Sequence, residues 1–141
     1  MMKTIDPTSA KPIRNFEGHT GHVLGVAWRA DGRTLATAGA DKVVKVWDAK
    51  EGTQKKTVSG FKSEITAVRF LGLEDRFVFS TGRGKVESRD SNGGGKPGFS
   101  GFSDYVHQVS SDQAGNVVAA AGQDQVIRVW DAKGKLLVEF K

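Results

Sequence analysis

The chain has 141 residues, of which 38% are apolar, 26% charged and 9% aromatic, a globular composition that excludes a disordered tract. The formal net charge is +5, but Lys and Arg are scattered singly and the longest basic run is Lys55-Lys56, so no nucleic-acid partner is expected. With no cysteine there is no disulfide scaffold or thiolate zinc site, and no apolar run nears the ~18 residues of a membrane helix, so no membrane partner is expected.

Glycine supplies 18 residues and proline only 3, close to twice the usual ~7% glycine, which points to many tight turns. Thr4–Glu17 ends in an extended segment near Ile13–Phe16. His22–Trp28 then alternates around Leu24, Val26 and Trp28. Asp31-Gly32 marks a turn, Thr34–Ala38 a second strand, and Ala40-Asp41 another turn before Val43–Trp47. Lys55–Val58 is a weaker fourth strand. The apolar period is two throughout and no stretch holds helical spacing over three turns, so the chain is expected to be all-β.

The chain repeats itself. Gly18 precedes Trp47-Asp48 by 29 positions, Gly60 precedes Arg89-Asp90 by 29, and Gly101 precedes Trp130-Asp131 by 29. The period is 42 residues and then 41. Ile5-Asp6 stands before Gly18 as Trp47-Asp48 stands before Gly60. Residues 1–17 therefore read as the tail of an earlier repeat with an outer strand. Residues 18–59, 60–100 and 101–141 read as three modules, each an antiparallel four-stranded meander. Ser91–Pro97 reads as a flexible connection, and Leu136–Phe140 as a last outer strand.

These residues carry a resemblance to the WD-repeat β-propeller family. The first module resembles a near-complete family repeat: Gly18-His19, Asp31-Gly32, Leu35–Gly39, Asp41 and Val43–Asp48. The third module keeps Asp124, Val126–Val129 and Trp130-Asp131, with Phe102 where the His belongs. The second is the most eroded. The resemblance implies a polar network joining His19, Thr37, Asp41 and Trp47. It implies an interrupted one around Asp124 and Trp130, because Ala120 holds the Thr position. It implies none in the second module, where Phe61, Phe79, Arg83 and Arg89 stand instead and Phe70, Phe77 and Phe79 are expected to carry the packing.

A His–Thr–Asp grouping also suits nucleophilic catalysis, but a Thr inside a strand and occupied by an indole is no free nucleophile, so no catalytic residue is assigned. Three histidines, His19, His22 and His107, fall short of a zinc set, and the glycine runs lack the Lys-Ser/Thr of a phosphate loop. No metal and no cofactor is expected. Propellers close with 4–8 blades, so three blades imply a ring closed by self-assembly, a homodimer giving six blades or a homotrimer giving nine. The resemblance implies a non-catalytic scaffold for a protein or peptide partner. That partner would meet His22, Glu64, Arg83, Tyr105 and Gln123 on the loops before each first strand and after each second strand. The start in mid-repeat reads as that of a piece of a larger bacterial propeller protein. The second reading is a propeller enzyme or ligand sensor with a site in the central channel, or an inactive piece of a multidomain protein.

Overall fold

The computed structural model of the protein describes residues 2–96 and 98–141, and they contain strands and turns but no helix. A hairpin of β1 (Met2–Ile5) and β2 (Pro12–Phe16) comes first. The first blade is β3 (Val23–Trp28), β4 (Thr34–Gly39), β5 (Val44–Asp48) and β6 (Thr53–Val58). The second is β7 (Ile65–Phe70), β8 (Arg76–Thr81), β9 (Val86–Asp90) and β10 (Gly95–Lys96). The third is β11 (Val106–Ser111), β12 (Val117–Gly122), β13 (Ile127–Asp131) and β14 (Leu136–Phe140). Within each blade the strands pair antiparallel in sequence order, so each is a propeller blade. Ser91–Gly94, read from sequence as part of a flexible connection, forms a turn, and Gly95 and Lys96 pair with Arg89 and Ser88. Pro97, the end of that stretch, lies outside the described residues.

Burial along the first strand of each blade reports its place in the stack. In β3, Leu24, Val26 and Trp28 are exposed and alternate with more covered residues, because one face is open. In β7, Ile65 through Val68 and then Phe70 are all buried, because the second blade is covered on both faces. Its core with the first blade joins Ala36, Val44 and Val46 to Val68, Phe77 and Phe79. Its core with the third joins Ala67 and Val78 to Val106, Val118 and Trp130. Adjacent first strands approach closely: a Cβ on Gly25 would lie 3.1 Å from Ala67 Cα, so a larger residue there would press the two blades apart by a few tenths of an ångström. Side chains stitch the blades together. Thr66 Oγ1 donates to the Val106 carbonyl at 2.5 Å, and Ser111 Oγ to that of Phe70 at 2.9 Å.

The aspartate that closes each third strand has a local task. Asp48 Oδ1 accepts the N–H groups of Lys50 and Glu51, both at 3.0 Å. Asp90 Oδ1 accepts those of Asn92 at 2.9 Å and Gly94 at 2.8 Å, and Asp131 Oδ1 those of Lys133 and Lys135. Asp6 does the same for Thr8 and Ser9. The carboxylate satisfies backbone donors that the turn leaves without partners. Asp31 and Asp112 cap the preceding turns of the first and third blades in the same way.

These bonds favour the ionised carboxylate. The Glu51 N–H, outweighing partial burial and aided by Arg33 and the Lys50 N–H, holds Asp48 below the usual range. The Val117 N–H does the same for Asp112. Burial would raise Asp31, but the Arg33 N–H, the Arg29 guanidinium and Thr34 together hold it well below. A carboxyl depressed in the folded state adds stability above its unfolded value, near ~3.9, and that stability is lost as pH falls through the folded value. The thermal midpoint is therefore expected to be level above about pH 5 and to fall steadily below about pH 4. Asp48→Asn should flatten the fall; an unchanged profile would dismiss the turn carboxylates as its cause.

The turn after each second strand has its left-handed residue at the same place: Lys42 (φ 62°), Gly84 (φ 78°) and Gln125 (φ 65°). Only the second blade places glycine there, and its Cβ would lie 2.7 Å from the Asp104 carbonyl oxygen. A side chain in this region costs about 1 kcal/mol. Gln125→Gly should therefore raise unfolding stability by up to about 1 kcal/mol, whereas Gly84→Ala should lower it by more than that. Urea titration reads both, and the same sign for the two would refute the argument.

Candidate functional site

The first blade holds a closed polar chain. Trp47 Nε1–H donates to Thr37 Oγ1 at 2.9 Å. The Thr37 hydroxyl meets His19 Nε2 at 2.6 Å, and His19 Nδ1 meets Asp41 Oδ2 at 2.8 Å. The directions follow from valence. An ionised carboxylate only accepts, so Nδ1 carries the proton; on a neutral ring Nε2 then accepts, and Thr37 donates to it. Asp41 Oδ2 also accepts the Thr20 N–H at 3.1 Å, which ties down the loop before β3. Thr37 is wholly buried, and the His19 and Asp41 side chains are only 5% and 6% exposed. Every hydrogen of the chain is spent within the blade, so it braces β4, β5 and the loop; the Thr37 hydroxyl has no freedom to attack a substrate.

The third blade solves the same corner differently. Trp130 Nε1–H donates to the Ser100 carbonyl at 3.1 Å. Asp124 turns instead to Arg128, with Nη1 to Oδ2 at 2.6 Å, while Arg128 Nε donates to Glu139 at 3.0 Å. The Arg128 bond is the main reason the Asp124 carboxyl sits below the usual range. The Arg128 guanidinium lies 4.5 Å over the Phe102 ring. Phe102 takes the place of His19 and Arg128 that of Lys45. Ala120, lacking a hydroxyl, leaves Trp130 to a backbone acceptor.

At this corner the second blade has no polar chain among its described residues. Phe61 packs edge-on against Phe79 at 4.8 Å, and Phe77 and Phe79 are 0% and 1% exposed. The Arg89 guanidinium lies 4.8 Å over the Phe61 ring. Around them is a cavity of about 520 Å³ bounded by Lys62, Arg83, Lys85, Glu87 and Arg89.

The five loop residues proposed from sequence as partner contacts share one edge of the stack. The Ala40 N–H donates to the His22 carbonyl at 2.9 Å, Gly82 to Glu64 at 3.2 Å and Gln123 to Tyr105 at 2.7 Å. These are equivalent bonds in the three blades, and each pins the loop before the first strand to the turn after the second. Glu64 and Tyr105 converge over Gly82, where a Cβ would meet both. Tyr105 packs on His107 at 4.8 Å between ring centroids, and His107 Nε2 lies 3.0 Å from Gln123 Oε1. His22 is exposed on the first blade, apart from this group, and Arg83 lines the second-blade cavity. Sequence reasoning weighed His107 only as a metal ligand; its alternation two residues after Tyr105 on one strand face was the available signal.

The architecture and repeat signature are those of a WD-repeat protein. The chain matches the WD40 family, described as WD domain, G-beta repeat, over residues 10–48 and 96–131, and belongs to it. The matched segments cover the first and third modules and omit most of the eroded second. It is similar to the WD repeat-containing protein slp1 of Schizosaccharomyces pombe, 34% identical over 77 residues, 55% of this chain and 16% of that protein. It is also similar to the ribosome biogenesis protein WDR12 homolog of Nematostella vectensis, 27% identical over 133 residues, 89% of this chain and 31% of that one. To the target of rapamycin complex subunit wat1 of S. pombe it is 46% identical over 46 residues, 33% of this chain and 15% of the other. The chain thus spans less than a third of the length of these relatives.

Removing the central hydroxyl tests the bracing role. Thr37→Val keeps the shape but strands the Trp47 N–H and the His19 acceptor, which should cost about 2–3 kcal/mol in urea unfolding. Thr37→Ser should restore most of it. A loss under about 0.5 kcal/mol, the scatter of surface substitutions, would mean the network adds only packing.

Proposed function

We propose that this protein is a non-catalytic interaction scaffold in which residues 18–59, 60–100 and 101–141 are three blades of a ring closed by further copies of the chain. The observation that carries the assembly is the pair of open apolar faces at the two ends of the stack. At one end Leu24, Val26 and Trp28 are 45%, 48% and 52% exposed. Beside them is a cavity of about 680 Å³ between β1 and the first blade, bounded by Ile5, Ile13 and Trp28. At the other end Ile127, Leu136, Val138 and Phe140 are exposed. Faces like these cost free energy in water and mark interaction surfaces. A second copy offers the complementary end, and two chains make six blades, within the usual range. In such a ring the β1–β2 hairpin of one copy and the outer strands of its neighbour compete for one place, so one of them yields.

The partner face is the loop edge bearing His22, Glu64, Arg83, Tyr105 and Gln123. Its mixture of charge, amide and aromatic character suits a protein or peptide. The names of two relatives support this reading, one a ribosome biogenesis protein and one a complex subunit. Light scattering behind size exclusion is expected to give twice 15.2 kDa, with three times as the nine-bladed form. Trp28→Glu and Val138→Glu should each return the mass to that of a single chain. A well-folded monomer of the unaltered chain would end the closed-ring reading.

A further inference from the structure

We propose that the cavity of the second blade binds an acidic peptide segment, whose carboxylates pair with Arg89 and Arg83 as Asp124 and Glu139 pair with Arg128 in the third blade. The third blade shows what an arginine stacked on a phenylalanine at this corner requires. Arg128 over Phe102 is met by two carboxylates, at 2.6 and 3.0 Å. The second blade also stacks an arginine on this phenylalanine, Arg89 over Phe61, but from the Trp130 position; Glu87 stands where the third blade has Arg128, and neither Asp124 nor Glu139 has an acidic counterpart. Arg83 stands where the third blade has Asp124. The outer strand, which in the third blade carries Glu139, is here the two-residue β10 flanked by Gly93, Gly94 and Gly98, which offer no side chain.

The consequence is an electrostatic debt. Arg89 Nε is buried and has no hydrogen-bond partner among the described residues. Lys62, Arg83 and Lys85 line the same cavity, and no carboxylate among the described residues reaches ion-pairing distance of any of the four cations. Among the described residues Glu87 is the only acid lining it. Arg89 is only partly buried, but a covered guanidinium N–H without an acceptor is costly, and a bidentate carboxylate is the group a guanidinium matches best. Gly95 and Lys96 pair with Arg89 and Ser88, and the Phe99 N–H donates to the Val86 carbonyl at 2.8 Å, so the bound segment lies against the blade face, where the Phe61 and Phe79 rings give its apolar atoms a surface.

The inference rests on the reading of the chain as a binding protein but on no part of the ring, so a monomer that binds the peptide leaves it standing. The probe is a fluorescein-labelled hexapeptide of alternating glutamate and aspartate, with the glutamine–asparagine peptide as control, read by anisotropy on the whole chain. The acidic peptide is expected to bind, more weakly as salt rises, and the neutral one not to bind. Arg89→Gln and the exposed Arg83→Gln should each weaken binding by roughly ten-fold or more, the effect of one lost charged hydrogen bond. Lys50→Gln, outside the cavity, should leave it unchanged. Arg83→Gln keeps the test sound if the Arg89 variant unfolds. No binding, equal binding of the neutral peptide, or affinity unmoved by Arg83→Gln would overturn the proposal. So would inorganic phosphate binding in an Arg83-dependent way without the peptide doing so.

Discussion

A four-stranded blade has two faces, and only a neighbour can bury one of them; almost everything else in this molecule follows. The second blade has neighbours on both sides, so Ile65–Val68 and Phe77–Phe79 are buried without alternation. The first blade is covered on its outer half by the β1–β2 hairpin, where Phe16 packs edge-on against Trp47 at 5.5 Å. Its inner half is bare, which is why β3 alternates and β4 does not. The third blade has no cover beyond Ile127 and the exposed strand β14.

Face burial holds the blades to one another, but each blade is shaped by its own polar groups, which come at two levels. The aspartate turn caps recur in every module and need nothing from outside their own hairpin. The corner where the loop meets the second and third strands is solved three ways: a Trp–Thr–His–Asp chain, a stacked Arg with two carboxylates, and a stacked Arg with none. All three place a flat side chain at the family's His position or over it, so the corner stays filled. What changes is which polar atoms are left over: among the described residues Asp41 Oδ1 in the first blade and Arg89 Nε in the second are buried without a hydrogen-bond partner. Packing preserves the blade, and satisfaction decides whether the surface is inert or available.

The all-β architecture was legible because the 29-residue interval between Gly18 and Trp47 recurs without a gap, and because Ile5-Asp6 repeats the end of a module. The hairpin of β1 and β2 follows from the latter. The outer strand of the second blade was not legible, since glycines bear no hydrophobic period. Of the polar corner, the first blade was readable because His19, Thr37, Asp41 and Trp47 are the side chains such a chain needs. The Arg128 pairing was not, because Glu139 reaches Arg128 across a strand register that repeat alignment leaves undefined. The second-blade cavity was hidden by the same alignment: Arg89 at a Trp position reads as the loss of a structural residue, and only its covered, unpartnered Nε beside three further cations gives it another meaning. The convergence of Glu64 and Tyr105 over Gly82 likewise depends on how two blades meet.

The meander topology has a kinetic side. Each ladder joins strands adjacent in sequence, and each hairpin is closed by a short turn that its own aspartate holds, so the entropy of loop closure is low at every step. Hairpins of this kind form without waiting for distant parts of the chain, whereas packing one blade on the next joins residues such as Thr66 and Val106, 40 positions apart, and follows later. The stack behaves as a short one-dimensional array whose interior unit is anchored twice and whose end units are anchored once. Opening therefore starts at the ends and proceeds inward. The blade with the least recognisable repeat signature, the second, becomes the last to exchange its backbone protons with solvent.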